Sequence, residues 1–326
     1  MEKVAIGVDL GGTNIRAGIV DKDGRVLKKI EGSTSVQNGR DVVIDRLVDS
    51  IKELKDEAKR NSMVVSVIGL GASGIISAKK GVIVLSPNLP NWIDVPLRDI
   101  VMKRTGIPVV LENDANAYAF GEKWRGAGKD FQDFFLITLG TGVGGGIILG
   151  GEIFHGADGM AGEIGHMTVN PEGPSCGCGN NGCLEVYASA KGIIERTIKS
   201  IEAGGETRLK EITEGNFYKI TSEMVYQAAK EGDSLARDVI REMGRYLGIG
   251  MATLINLFNP EAIIIGGGVK DAWDLFIEPA KREIERRAFS IPSERVRIIQ
   301  STLDDGGILG AAGVAFKKSK GRTKRL

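Results

Sequence analysis

All three cysteines of the chain, Cys176, Cys178 and Cys183, fall within eight residues, and one of its two histidines, His166, lies ten positions before the first. The pattern H-x9-C-x-C-x4-C supplies four soft or borderline ligands, enough to close a tetrahedral zinc shell. Cys176 and Cys178 stand too close together for an easy disulfide, while Gly177, Gly179 and Gly182 let a tight loop wrap an ion. Four protein ligands leave no open position, so the expected zinc is structural. A loop of clustered free thiols is the competing reading. Glu163 precedes His166 by three residues and Glu185 follows Cys183 by two, so a zinc loop would fix both acids as acceptors for sugar hydroxyls. Ordinary surface acids would occupy the same positions. With one ring nitrogen of His166 on the metal, the other can meet a substrate oxygen. His155 has no such company and reads as a surface or packing residue.

Two glycine turns carry a second chemistry. Asp9-Leu10-Gly11-Gly12-Thr13-Asn14 combines backbone donors free of Cβ obstruction with an acid placed to hold Mg²⁺. Leu139-Gly140-Thr141-Gly142 repeats the arrangement without the acid, and Gly266-Gly267-Gly268 adds a third cluster. Tight hairpin turns without a ligand satisfy each stretch taken singly. Residues 140–145 also spell G-x-G-x-x-G, but the dinucleotide version needs a helix at the third glycine, and here the strand-like Gly146-Ile147-Ile148-Leu149 follows. No G-x-x-x-x-G-K-[ST] pattern occurs, which excludes a P-loop kinase.

Asp114 stands where the apolar run 107–111 ends and a helical pattern, 115–125, begins. Ligands of open α/β sheets gather at the carboxyl ends of strands. A carboxylate there is placed to take a proton from a substrate hydroxyl attacking phosphorus. Asn113-Asp114 is equally a good helix cap, and the local sequence leaves both readings open.

The elements that must position these groups read as α/β with mixed sheets. Apolar runs at 4–8, 15–20 and 25–30, separated by two turns, predict an antiparallel meander. Residues 41–58 show helical spacing, 64–69 a strand, 75–85 a hairpin and 95–104 a helix. Strands are expected at 134–139, 143–149 and 262–265, helices from 190 onward including a long one at 235–257, and a small-residue helix at 308–316. IGVDLGGTNIRAGIV and FLITLGTGVGGGIIL share a layout of strand, glycine turn and strand, a weak internal pseudo-repeat.

The length of 326 residues predicts two domains. Lys+Arg and Asp+Glu number 43 and 42, a balance that points to neither a nucleic-acid nor a membrane partner. The basic tail from Lys317 reads as a solvated, frayed terminus. No apolar stretch is long enough to span a bilayer, and MEKVAIGVDLGG enters a strand without a signal-peptide core, so a cytoplasmic location is expected.

Taken together, these motifs resemble the ROK family of repressors and kinases, from Asp9 to the 308–316 helix. The most specific element is GMAGEIGHMTVNPEGPSCGCGNNGCLEVYAS at 159–189; the DLGGT turn is shared with the wider actin-like ATPases. The resemblance implies two ribonuclease-H-like domains around a cleft, 1–117 with 304–326 and 118–303, the C-terminal helix returning to the first. It also implies ATP with Mg²⁺ and a homodimer or homotetramer. Position by position, Asp114 matches the family's general base. His166, Cys176, Cys178 and Cys183 match its zinc ligands, and Asn88, Asn113, Glu163, His166 and Glu185 its sugar contacts. Gly11, Gly12, Thr13 and Gly140–Gly142 match phosphate contacts, and Gly266–Gly268 lies where the family holds adenosine. SPNLPNW is similar to the bacterial glucokinase branch, which implies transfer of the ATP γ-phosphoryl group to the 6-hydroxyl of glucose. Position 14 is Asn where many members carry Lys. Fructose, mannose, N-acetylmannosamine and N-acetylglucosamine kinases are the alternatives within the family. Its repressors carry a DNA-binding module ahead of the kinase-like body. The strand beginning by Val4 argues against that role, and Asp114 with the phosphate turns argues against a non-catalytic sugar sensor.

Overall fold

The three N-terminal apolar runs form β1 (Glu2–Leu10), β2 (Asn14–Val20) and β3 (Val26–Ser33), paired antiparallel as the turn spacing requires. After α1 (Arg40–Arg60), β4 (Met63–Ala72) joins β1 in parallel. The hairpin of β5 (Ile75–Ser77) and β6 (Val82–Leu85) pairs with β7 (Ile93–Val95) in a small separate sheet. α2 (Leu97–Thr105) leads to β8 (Val109–Asn113), parallel to β4, and α3 (Asp114–Arg125) starts at once. The main sheet runs β3-β2-β1-β4-β8. The elements that follow are β9 (Phe134–Leu139), β10 (Val143–Leu149), β11 (Glu152–Ile153), α4 (Glu185–Ala188), α5 (Ala190–Glu202), α6 (Leu209–Ile212), α7 (Ser222–Lys230), α8 (Ser234–Phe258), β12 (Ala262–Gly266), α9 (Trp273–Arg287), α10 (Ser290–Arg295), β13 (Arg297–Gln300) and α11 (Gly306–Thr323).

This computed structural model describes residues 1–323, and the chain divides into two units. Met1–Asp133, Gly146–Gly162 and the stretch from Ser301 form the first; Phe134–Gly145 and Glu163–Gln300 form the second. In the first unit, alternate residues of β1 face opposite ways. Val4, Ile6 and Val8 pack with Val43, Leu47, Ile51 and Leu54 of α1, and Ala5 packs with Ile308, Leu309 and Ala312 of α11. The small residues predicted around 308–316 have a purpose: α11 lies with its backbone on the strands. A Cβ at Gly7 would sit 2.1 Å from the Ile308 oxygen, and one at Gly69 would sit 1.9 Å from that of Ala311. Gly310 meets the Ala117 oxygen of α3 in the same way, at 1.7 Å. This seam explains why the first unit runs on to Asp133. The boundary expected at 117/118 falls inside α3, which packs along α11.

The C-terminal tail differs from expectation. α11 continues to Thr323, with the consecutive Lys317 and Lys318 paired to Glu152 and Glu112, acids of the first unit. Residues 324–326 lie outside the described residues. No described helix is long and apolar enough to cross a membrane.

The second unit is built on the parallel trio β9, β12 and β13, with Phe134, Phe135, Leu136 and Ile137 buried. Its long helix α8 approaches α9 through Gly244 and Gly248, where a Cβ would lie 2.3 Å from the oxygens of Phe276 and Ala280. α8 stops at Asn259, whose left-handed φ of 46° precedes Pro260. β10 carries the change of unit at Gly145/Gly146, and its sheet runs β11-β10-β9-β12-β13. The strand order repeats that of the first sheet, hairpin partner, first strand, then crossover strands, as the pseudo-repeat in the sequence suggests.

Candidate functional site

The first unit gathers two acids at the carboxyl ends of its strands. Asp9 is the last residue but one of β1 and Asp114 opens α3, while Gly71 of β4 lies in register with both Asp9 and Glu112. A side chain at Gly71 would start 3.5 Å from the Asp114 Cα, so this glycine keeps the space beside the acid clear. The capping question resolves against Asp114. Asn113 is the N-cap, its Oδ1 accepting the Asn116 N–H at 3.0 Å, while Asp114 Oδ1 accepts the adjacent Ala115 N–H at 2.8 Å. The Asn113 amide also donates to the Gly74 oxygen at 3.1 Å. The expected sugar contact is therefore half committed to the fold, with one N–H left to offer.

Burial first, and the Asp114 charge second, push the Asp9 carboxyl up to about 6, against the lowering pull of Arg16 at 4.0 Å. Two carboxylates near enough for the charge of one to raise the other make a donor set suited to a divalent ion. In its absence the ionised form of Asp9 is disfavoured by folding. That cost is absent below the unfolded value of 3.8, grows as pH rises, and is complete above about 6. Asp9 keeps 26% of its side-chain exposure, so the full-burial figure shrinks to about 1–2 kcal/mol. Metal-free Asp9→Asn is therefore expected to melt above the parent at about pH 8 and to lose that advantage near about pH 4. Differential scanning calorimetry of both proteins checks this, and a lower melting point for the variant at about pH 8 contradicts it.

The turn between β1 and β2 is tied down on all sides. Gly11 N–H donates to Asn14, the Thr34 hydroxyl to the Gly11 oxygen, and Thr34 N–H to the Thr13 oxygen. Gly12 meets the Asn88 main chain, where a Cβ would lie 2.8 Å from the carbonyl oxygen. The SPNLPNW loop is thereby seated on the phosphate turn, anchored by buried Leu89 and Trp92, and Asn88 itself is exposed. Asn14 donates its amide to Glu31 at 2.8 Å, and Arg16 lies 3.4 Å from the same acid.

In the second unit, His166, Cys176, Cys178 and Cys183 bring their ligand atoms within 4.8 Å of one another. The Cys176 sulfur lies 3.7 Å from His166 Nδ1, and the Cys178 and Cys183 sulfurs lie 3.7 Å apart. A tetrahedron with ~2.3 Å zinc–sulfur bonds has edges of about 3.8 Å, so the four groups fit a zinc ion. The knuckle is closed by Cys176 N–H to the Asn180 oxygen at 2.7 Å and Gly179 N–H to the Cys176 oxygen at 3.0 Å. Burial, reinforced by the neighbouring thiols, pushes Cys183 up to about 12, while the Asn180 backbone lowers Cys178. All three cysteines are free of disulfides.

The zinc loop also braces the second glycine turn. Glu185 opens α4 and accepts the Val143 N–H at 3.0 Å, and a Cβ at Gly142 would lie 2.5 Å from its carboxylate. Ala190 N–H donates to the Gly140 oxygen at 2.8 Å. Glu185, expected as a sugar acceptor, thus spends one oxygen on the turn, and its other oxygen lies 4.0 Å from the Cys176 sulfur. Burial raises the Glu163 carboxyl, His166 lowers it, and Glu185 raises it again. Thr141 is exposed. Gly267, at φ 86°, lies so close to Leu139 that a Cβ would come within 2.3 Å of its oxygen, while Gly268 is open. Gly266 closes β12.

One pair escapes sequence reasoning. Glu112 is 2% exposed, and both its oxygens meet His155 Nε2, at 3.1 and 3.0 Å, while Lys318 Nζ stands 3.4 Å away. Burial raises this acid, but His155 and Lys318 outweigh it and hold the carboxyl below its ordinary range. His155 is thus a hydrogen-bond partner of a buried acid rather than a packing residue. A buried acid at an interior strand position was the available signal, but its partners come from distant segments.

Three comparisons place this arrangement among known proteins. The model of the ROK family matches residues 5–318. A glucokinase of Thermotoga maritima is 38% identical, the match covering 97% of this chain and 98% of that protein. A xylose repressor of Caldicellulosiruptor bescii is 36% identical over 93% of this chain and 75% of the repressor. The crystal structure of a ROK family glucokinase from Streptomyces griseus, in complex with glucose and AMPPNP, superposes with a TM-score of 0.83 at 37% identity, covering 96% of this chain and 99% of that one.

Proposed function

This chain belongs to the ROK family, and from that premise we propose that it transfers the γ-phosphoryl group of ATP to the 6-hydroxyl of glucose. The observation that carries the reading is Asp114: a strand-end carboxylate relieved of capping by Asn113, in a chain similar throughout its length to glucokinases. In this reading Asp114 accepts the hydroxyl proton as the oxygen attacks phosphorus. Asp9 is the residue that would hold Mg²⁺, which supplies countercharge to the phosphates when bound. The first unit also gives the donors of Gly11, Gly12 and Thr13, with Asn14 beside them, and the sugar contacts Asn88 and Asn113. The second gives Gly140, Thr141 and Gly142 to phosphate, Gly266, Gly267 and Gly268 to the adenosine, and Glu163, His166 and Glu185 to the sugar. His166 reaches the sugar through the ring nitrogen not facing the thiols.

A coupled ATP-consumption assay across glucose, mannose, fructose, N-acetylmannosamine and N-acetylglucosamine tests the assignment. Glucose is expected to give the highest kcat/KM. Turnover confined to an acetylated sugar would move the chain to another branch of the family. The cytoplasm, where ATP is available, is the location that suits this reaction. Assembly as a homodimer or homotetramer is supported by Leu257, Phe289 and Ile291 of the second unit, which stand 70%, 76% and 63% exposed, and light scattering measures it.

A further inference from the structure

The Glu112–His155 pair lies beside the end of β8, next to Asn113 and Asp114. Glu112 is one residue before Asn113 and two before Asp114. His155 opens the segment 155–162, in which Gly156, Gly159 and Gly162 have φ of 69°, 100° and 103°, left-handed values that leave the backbone loosely specified. The carbonyl of His155 accepts the Ala161 N–H at 3.2 Å, so the same residue closes the loop and ties it to Glu112. Residues 156–160 line a cavity of about 1270 Å³ together with Val109 and Leu111 of β8. From Gly162 the chain passes directly to Glu163.

We propose that Glu112 and His155 are positioning residues for the sugar: their contact ties the glycine-hinged segment 155–162 to the end of β8, so that the adjoining Asn113 is held in place. The proposal rests on the hexose-kinase reading above. Lys318 Nζ, 3.4 Å from Glu112, balances the acid from α11, so removing the histidine leaves the carboxylate with a partner and the unit folded.

The experiment compares His155→Leu, His155→Gln and Glu112→Gln with the parent, measuring kcat, both KM values, calorimetric binding of the sugar without nucleotide, and melting temperature. The hexose used is whichever one the parent phosphorylates, so failure of the glucose assignment shows in the parent alone. His155→Leu is expected to raise the sugar KM and Kd about tenfold, the worth of one charge-assisted hydrogen bond, with the ATP KM within about twofold of the parent. His155→Gln keeps an N–H for Glu112 and is expected to recover most of the loss. Equal impairment of His155→Leu and His155→Gln would overturn the proposal, as would a lowered melting temperature with an unchanged sugar KM and Kd in both His155→Leu and Glu112→Gln.

Discussion

Asp114→Asn is expected to lower kcat about 10²- to 10⁴-fold while leaving the sugar and ATP KM values near those of the parent, the effect of removing a positioned base. The substitution is nearly isosteric, and Asn113 rather than Asp114 caps α3, so the helix start survives it. The amide can still accept the Ala115 N–H that Asp114 Oδ1 accepts at 2.8 Å. What disappears is the charge and the ability to take a proton. Loss of the charge also relieves Asp9, whose carboxyl Asp114 helps to raise. Loss of turnover together with retained stability separates a chemical role from a structural one. Steady-state kinetics with calorimetry measures both, and near-normal kcat would remove Asp114 from the base role.

How far the sequence carries depends on the range of the interaction concerned. The β1–β2–β3 meander, the hairpin at β5–β6, and the stop of α8 before Pro260 are local, and turn residues and periodicity specify them. The metal ligands are nearly as local, since three of four lie within eight residues. The small residues of α11 are visible as a pattern, but their reason is tertiary: they let its backbone touch β1, β4 and α3, and nothing at 306–323 names those partners. The same is true of Glu112, His155 and Lys318, which come from three separate stretches and look like an unremarked strand residue, a lone histidine and a basic tail until the fold joins them. Glu185 shows the limit in another way. Its place beside Cys183 marks it as useful, but its bond to Val143 N–H depends on the second glycine turn coming back to the zinc loop.

That bond gives removal of zinc a consequence beyond the loop. The purified chain is expected to carry about one zinc per chain, and stripping it with a strong chelator, or substituting Cys183→Ser, is expected to lower kcat/KM for the sugar by ~10²-fold or more, since hydrogen-bond partners of metal ligands alone are worth about 10- to 100-fold. Without the ion, three thiols crowd a histidine at tetrahedral spacing with no charge to hold them, and Cys183 is fully buried among them. Residues 163–185 then lose their clasp. Glu163 leaves its partly buried setting near His166, and Glu185 loses the geometry that holds the 140–143 turn. Sugar and nucleotide affinity should therefore fall together, unlike the sugar-only effect expected at His155. Glu185→Gln, which keeps all four ligands and an oxygen for Val143 N–H, is expected to retain zinc while weakening sugar binding. Metal analysis by mass spectrometry, read beside kinetics before and after chelation and zinc return, makes the test. A zinc-free chain with full turnover would mean that the four ligand groups hold the loop without a metal.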